Sequence, residues 1–122
     1  MNDTTEAHHA GGCECGAVRF TITGPLREVI NCWCGQCRRL HGNAAPHTRA
    51  RWEQISFSED RGVKWYRTSD FAERAFCADC GARLFYRLDD GGGLVSISVG
   101  ILDQPTGLET IGHIFVDELP DY

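Results

Sequence analysis

The chain has 122 residues, of which 42% are hydrophobic and 24% are charged, so it is long enough for one globular domain with an apolar core. No apolar stretch approaches the ~18 residues that a membrane-spanning helix needs, so we expect no membrane partner. A net charge of −5 argues against a nucleic-acid partner, because proteins that bind phosphate backbones usually carry a basic patch.

The first ten residues, MNDTTEAHHA, have neither the basic start nor the apolar stretch of a secretory signal. We predict that residues 1–10 form a disordered tail, in which His8 and His9 have no function, and that the protein is cytoplasmic. Residues 11–122 contain no linker and no low-complexity segment. They are predicted to form a single zinc-binding domain.

The elements predicted after this tail are mostly short strands. Apolar and polar residues alternate over residues 17–23, 63–66, 83–88 and 94–99. Only residues 35–40 have the character of a short helical turn. The sequence therefore predicts a mainly β fold, with short strands in small antiparallel sheets and little helix.

All seven cysteines fall into three clusters along the chain. These are Cys13-x-Cys15, Cys32-x-Cys34-x-x-Cys37 and Cys77-x-x-Cys80. In a chain without an export signal we expect reduced thiolates that bind metal, because disulfides are rare in reducing compartments. Each C-x-C is predicted to present two sulfurs from one strand, and C-x-x-C to form a tight turn that Gly81 permits.

The number of cysteines suggests how they divide between two zinc ions. Structural zinc takes four protein ligands, whereas catalytic zinc takes three and keeps one position open. The simplest partition joins the first and third clusters and leaves the second cluster open. A rival partition pairs Cys34 and Cys37 with Cys77 and Cys80, across a stretch longer than usual for a zinc ribbon. The open cluster could also recruit a fourth protein ligand, from His41, His47 or His113.

Several other side chains are candidates for the charge and walls of a site. Arg38 and Arg39 directly follow the open cluster, so we expect them to offset its negative charge and to meet carboxylates of a peptide-like ligand, with a solvated surface position as the alternative. Arg74 and Arg83 flank the third cluster and are expected to compensate the closed site. Phe71, in a predicted loop, is the expected exposed wall of a ligand pocket.

Three stretches of the sequence carry a family resemblance. They are Gly11-Gly12-Cys13-Glu14-Cys15-Gly16-Ala17-Val18-Arg19-Phe20, then Cys32-x-Cys34-x-x-Cys37-Arg38-Arg39, then Arg74-x-Phe76-Cys77-x-x-Cys80-Gly81. Together with residues 100–105 and 113–115, they closely resemble the glutathione-dependent formaldehyde-activating family, whose relatives include the globular domain of centromere protein V.

This resemblance implies a fold, two zinc sites and an activity. The fold would be a β-tent zinc fold, in which a structural zinc is bound by Cys13, Cys15, Cys77 and Cys80. A catalytic zinc would be bound by Cys32, Cys34 and Cys37, with Arg38 beside it. The activity would be that of a carbon–sulfur lyase, which condenses glutathione or a related thiol with formaldehyde or another small aldehyde. The alternatives are a non-catalytic zinc-binding module and a thiol or metal carrier.

Overall fold

The computed structural model describes residues 8–122, and their secondary structure is mainly β, as predicted. The strands and the helix have the following bounds: β1 His8–Gly12, β2 Arg19–Thr23, β3 Val29–Cys32, α1 Gly35–His41, β4 Ala45–Arg51, β5 Ile55–Glu59, β6 Val63–Ser69, β7 Ala72–Cys77, β8 Arg83–Leu88, β9 Leu94–Ser98 and β10 Thr110–Ile114. Short 3-10 turns occupy Trp52–Gln54, Val99–Ile101 and Val116–Glu118. No helix in this part of the chain is long and apolar enough to cross a membrane.

The strands form two sheets. The smaller has three strands in the order β1-β2-β5, and the larger has seven in the order β10-β3-β4-β9-β8-β7-β6. Neighbouring strands are antiparallel, as predicted, except that β10 runs parallel to β3. The chain therefore returns late in the sequence to cover the edge of β3, whose last residue is Cys32.

The predicted strands correspond to β2, β6, β8 and β9, and the predicted helical turn corresponds to α1. The alternation of apolar and polar residues in the sequence did not predict β4 or β7, although both strands lie inside the larger sheet. Each carries an arginine, Arg49 or Arg74, on the face of the sheet that points away from the apolar core. The remaining residues of these two strands are too mixed in character for a regular apolar and polar alternation, on which strand prediction depends.

The disordered tail predicted for residues 1–10 is wrong for residues 8–10. They belong to β1, which pairs with β2 from His8↔Thr23 to Gly12↔Arg19. His9 is also held by a 3.0 Å hydrogen bond between its Nε2 and the Thr106 carbonyl oxygen. Backbone pairing orders these residues although they are poor in apolar side chains. Residues 1–7 lie outside the described part of the chain.

The apolar core lies between the two sheets. The smaller sheet contributes Phe20, Ile22 and Ile55, and the larger sheet contributes residues such as Phe85 and Ile97. Since side chains alternate across a strand, the other face of the larger sheet points away from this core. On that face lie α1, the segment after β10 and a cavity.

Candidate functional site

The first cysteine cluster consists of Cys13, Cys15, Cys77 and Cys80, whose four Sγ atoms all lie within 4.8 Å of one another. The Sγ of Cys15 is 3.7 Å from that of Cys13 and 3.8 Å from that of Cys77. A tetrahedral zinc site with Zn–S bonds of about 2.3 Å has sulfur–sulfur distances of about 3.8 Å. The donor atoms and their spacing therefore fit one tetrahedral metal ion.

These four cysteines lie in turns and at a strand end rather than along strands. Cys13 and Cys15 occupy the connection between β1 and β2, Cys77 ends β7, and Cys80 lies in the turn that follows. The prediction that Cys13 and Cys15 share a strand is wrong. The chain leaves β1 at Gly12 and bends through Cys15 before β2 begins at Arg19, so no strand carries both sulfurs.

Two glycines allow the backbone to close around this cluster. A Cβ atom at Gly62 would lie 2.9 Å from the Cys77 Sγ and 2.8 Å from the Ala17 Cβ, so only glycine permits this approach. Gly81 has a φ of +81°, and its N–H donates to the Cys77 carbonyl oxygen over 2.8 Å. The turn predicted for Cys77 to Cys80 is therefore present.

The second cluster consists of Cys32, Cys34 and Cys37, whose three Sγ atoms also lie within 4.8 Å of one another. Cys32 ends β3, Cys34 immediately precedes α1, and Cys37 lies in the first turn of α1. The Cys34 Sγ accepts a 3.3 Å hydrogen bond from the Cys37 N–H, so the helix start fixes the sulfur. The prediction of a C-x-C on one strand is wrong here too, because the chain leaves β3 between these cysteines.

The structure thus brings together the two groups of cysteines that the spacing favoured, and not the rival grouping. Within residues 8–122, no histidine or carboxylate ligand atom joins the group of three. His113 instead accepts a 3.1 Å hydrogen bond at Nδ1 from the Trp33 indole N–H, while the His41 and His47 rings pack edge to face at 5.7 Å. The second cluster could therefore hold a metal ion and leave one coordination position open.

Arg74 is the cation in direct contact with the second cluster. Its Nη2 donates to the Cys37 Sγ over 3.4 Å, and its Nε donates to the Gln36 Oε1 over 2.9 Å. The guanidinium also lies 4.6 Å from the centre of the Tyr86 ring. Only 7% of Arg74 is exposed, so this charge is held in place and acts in a poorly solvated environment.

This arrangement corrects the sequence-based assignment of Arg74 and Arg83. Arg74 compensates the three-cysteine cluster and not the four-cysteine one, because β7 turns its side chain to the face opposite Cys77. Arg83 donates to the Leu40 carbonyl oxygen over 3.4 Å.

The two arginines of α1 have a different environment. Arg38 is half-buried and Arg39 is exposed, and in the described structure neither makes a side-chain hydrogen bond or ion pair. Neither of them lines the cavity described next. A catalytic role for Arg38 stays a prediction.

A cavity of about 370 Å³ lies beside the three-cysteine cluster. Its sheet side is formed by polar side chains from four adjacent strands, which are His47, Arg49, Arg74, Tyr86 and Ser96. The rest of its lining includes the apolar side chains Phe71, Ile114 and Phe115. Phe71 is 60% exposed and lines the cavity, as the sequence analysis expected. A ligand at the sulfurs would be held between a polar floor and an apolar wall.

The segment after β10 is a part of the site that the sequence analysis did not identify. The Trp33 N–H donates to the Ile114 carbonyl oxygen over 3.1 Å, and the Gly35 N–H donates to the Glu118 Oε1 over 2.9 Å. Phe115 is held at a φ of +58°, which is unfavourable for a bulky residue. These contacts fix the segment against the cysteine loop and turn its apolar side chains to the cavity.

The ionisation of the lining groups follows from their burial. Burial lowers the pKa of His47 to about 4, so this imidazole is neutral near pH 7. Burial also raises the pKa of Tyr86, so its phenol keeps its proton. For Cys37, burial raises the pKa of the thiol and the hydrogen bond from Arg74 opposes this rise. The cavity therefore places neutral hydrogen-bonding groups beside sulfurs whose negative charge Arg74 favours.

Comparisons with known proteins agree with this architecture. A family model described as "Glutathione-dependent formaldehyde-activating enzyme" matches residues 8–118. A curated relative named as an uncharacterized lyase of Schizosaccharomyces pombe is 25% identical over 113 residues, which cover 93% of this chain and 82% of the relative. The crystal structure of a Rhodobacter sphaeroides protein is similar with a TM-score of 0.68 and 23% identity, and the match covers 85% of this chain and 98% of that one. At that identity the likeness concerns the fold.

Proposed function

The chain belongs to the glutathione-dependent formaldehyde-activating enzyme family, and from this premise we propose that it is an enzyme of the carbon–sulfur lyase type. The proposed reaction condenses glutathione, or a related thiol, with formaldehyde or another small aldehyde to an S-hydroxymethyl adduct. One observation carries the proposal. Cys32, Cys34 and Cys37 converge at a cavity of about 370 Å³ without a fourth protein ligand from the described chain.

Two zinc ions per chain are proposed. Sulfur donors select soft or borderline metals such as zinc and iron over magnesium or calcium, and a closed set of four thiolates is typical of structural zinc. Cys13, Cys15, Cys77 and Cys80 would hold the structural ion. The three-cysteine cluster would hold the catalytic ion, because three ligands are what a catalytic zinc site uses.

Zinc bound by the three cysteines would supply an open coordination position that favours the thiolate form of a substrate thiol. The protein's own residues have separate tasks. Arg74 offsets the negative charge that gathers at the sulfurs, and Tyr86 and Gln36 hold its guanidinium in position. Phe71 and Phe115 give the cavity an apolar border beside the reacting groups. Arg38, directly after Cys37, is retained as a proposed second cation.

The reaction adds the thiol across the carbonyl group of formaldehyde and gives the S-hydroxymethyl adduct. One carbon–sulfur bond forms, the carbonyl π bond is lost, and the thiol proton ends on the former carbonyl oxygen. Negative charge develops on that oxygen, so a neutral hydrogen-bond donor nearby would stabilise the transition state. The Tyr86 hydroxyl is proposed for this role, since it lines the cavity and burial raises its pKa and keeps it protonated.

Thiolate chemistry of this kind requires a reducing compartment, and the cytoplasm is therefore the proposed location. The proposed ligands are a small thiol and a small aldehyde. No nucleic acid and no membrane is required for the reaction.

The test combines metal analysis with a direct measurement of turnover. Formaldehyde and glutathione exchange spontaneously with their adduct, and exchange NMR measures that rate with and without protein. We expect the wild-type protein to accelerate the exchange and to contain two zinc ions per chain. Cys34→Ser should abolish the acceleration, whereas Arg39→Gln, at an exposed position on α1, should leave it unchanged. An exchange rate equal to the protein-free rate would contradict the enzymatic proposal and favour a binding module or carrier.

A further inference from the structure

Arg49 is a cavity residue that the mechanism above does not use. It lies on β4, where Ala45, His47 and Arg49 share one face and Thr48 and Ala50 are buried on the other. Ala45 packs against Cys32 and Cys37, and His47 and Arg49 follow along the cavity floor. The same face of β4 therefore contacts the second cysteine cluster at Ala45 and carries the Arg49 guanidinium further along the strand.

The charges around the cavity make Arg49 unusual in an acidic protein. Arg49 and Arg74 both line the cavity, and none of its lining residues is an aspartate or glutamate. Arg74 is engaged by Cys37 and Gln36. Arg49 has no ion-pair partner and no side-chain hydrogen bond among residues 8–122, whereas Arg51, on the same face of β4, is paired with Glu53 over 3.3 Å. The cavity thus offers one uncommitted guanidinium, whose planar fork suits a carboxylate.

The position of Arg49 limits the size of a ligand that could use it. Cys32 lies opposite Ala45 in the β3–β4 pairing, and Arg49 is four residues further along β4. Four residues of a strand span about 13 Å, part of which the arginine side chain itself covers. A peptide-like thiol with a terminal carboxylate is long enough to span the remaining distance from the sulfurs to the guanidinium, and it does so more easily than a thiol of two or three carbons.

We propose that Arg49 binds a carboxylate of the thiol substrate, so that the site selects peptide-like anionic thiols over small neutral ones. This inference rests on the proposed function of the same cavity. It also replaces the sequence-based expectation that Arg38 and Arg39, which do not line the cavity, meet the carboxylates. Arg49 is a specificity residue here, since the reacting atoms lie near the cysteines.

The test measures binding without aldehyde, so that its outcome does not depend on turnover. Glutathione and glutathione diethyl ester, in which both carboxylates are neutralised, are titrated calorimetrically into zinc-loaded wild-type protein, Arg49→Gln and Arg51→Gln. Losing a charge-assisted hydrogen bond corresponds to about a 10- to 100-fold change in Kd. We expect Arg49→Gln to bind glutathione more weakly than the wild-type protein by this factor. Arg49→Gln should bind the diethyl ester as tightly as the wild-type protein does. Arg51→Gln should bind both ligands like the wild-type protein.

The outcomes separate this inference from the proposed function. If Arg49→Gln binds glutathione as tightly as the wild-type protein, or loses affinity equally for glutathione and its diethyl ester, the inference is overturned while the proposed function stands. If the wild-type protein binds no glutathione, the proposed substrate is wrong and the inference falls with it. Circular dichroism of both variants shows whether they are folded, which the exposed positions of Arg49 and Arg51 lead us to expect.

Discussion

The contact between Arg74 and Cys37 leads to a quantitative prediction about metal binding by the three-cysteine cluster. Arg74→Met keeps most of the side-chain volume but removes the charge and the 3.4 Å hydrogen bond to the Cys37 Sγ. A hydrogen bond to a charged group contributes about 1.5–3 kcal/mol, which corresponds to roughly 10- to 150-fold in an equilibrium constant. Residues that contact metal ligands typically change metal affinity by about 10- to 100-fold when mutated. We therefore expect zinc to bind the three-cysteine site about 10- to 100-fold more weakly.

The assay is a competition between the zinc-loaded protein and a chromophoric chelator. Because the four-cysteine cluster does not contact Arg74, zinc bound there would serve as an internal reference in the same sample. Arg83→Met is the matched control, since Arg83 contacts the Leu40 carbonyl oxygen and the Phe76 ring instead of a sulfur. Arg74→Lys, which keeps the charge but not the fork, should lie between the wild-type protein and Arg74→Met.

Two results would refute the reasoning. Unchanged zinc affinity in Arg74→Met would show that the contact with Cys37 has no energetic role. A loss in Arg83→Met that equals or exceeds the loss in Arg74→Met would show that general changes of charge, and not this hydrogen bond, control the site.

The remaining predictions concern stability and the geometry of the site. Cys80→Ser should unfold the domain, because a structural zinc site contributes about 10–16 kcal/mol of apparent binding free energy to folding. Cys34→Ser should stay folded with one zinc fewer. Circular dichroism and metal analysis distinguish these outcomes. Glu118→Gln should weaken zinc binding at the three-cysteine site less than Arg74→Met does, because this substitution weakens only the 2.9 Å hydrogen bond that Glu118 accepts from the Gly35 N–H. A loss of zinc affinity in Glu118→Gln that equals or exceeds the loss in Arg74→Met would contradict this order. The free energy of unfolding should fall as the pH drops from about 6.5 to about 4, because burial lowers the pKa of His41 and His47 to about 4 and only the unfolded chain binds their protons in that range. His47→Gln should make that dependence shallower in denaturant titrations at several pH values, and an unchanged slope would exclude this contribution.

Sequence patterns predicted the grouping of the cysteines better than the positions of the charged side chains. The clustering of cysteines indicated two metal-binding groups, and the structure brings the same groups together at Cys13, Cys15, Cys77 and Cys80 and at Cys32, Cys34 and Cys37. The motifs also indicated the family, which the match over residues 8–118 confirms. Ligand spacing is informative because a metal ion demands several donors within a few ångströms, and short loops are the usual way to supply them.

The environments of the arginine side chains did not follow from their neighbours in the sequence. Proximity in sequence suggested Arg38 for the open cluster and Arg74 for the closed one, yet Arg74 contacts Cys37 across 37 positions of the chain. The side to which a strand residue points depends on its register in the sheet, and a shift of one residue reverses it. The alternation in β7 was too weak to fix that register before the sheet was known.

By itself, the sequence determined the mainly β composition, the grouping of the cysteines and the family, because these follow from local patterns and from residue chemistry. Only the tertiary structure decided which polar side chains line the cavity, since Arg49, Arg74 and Tyr86 come from three different strands. It also decided that the segment around Phe115, far along the chain, covers the cysteine loop. Contacts of this kind depend on strand order and register, which arise from packing the whole core and leave little trace in any short stretch of residues.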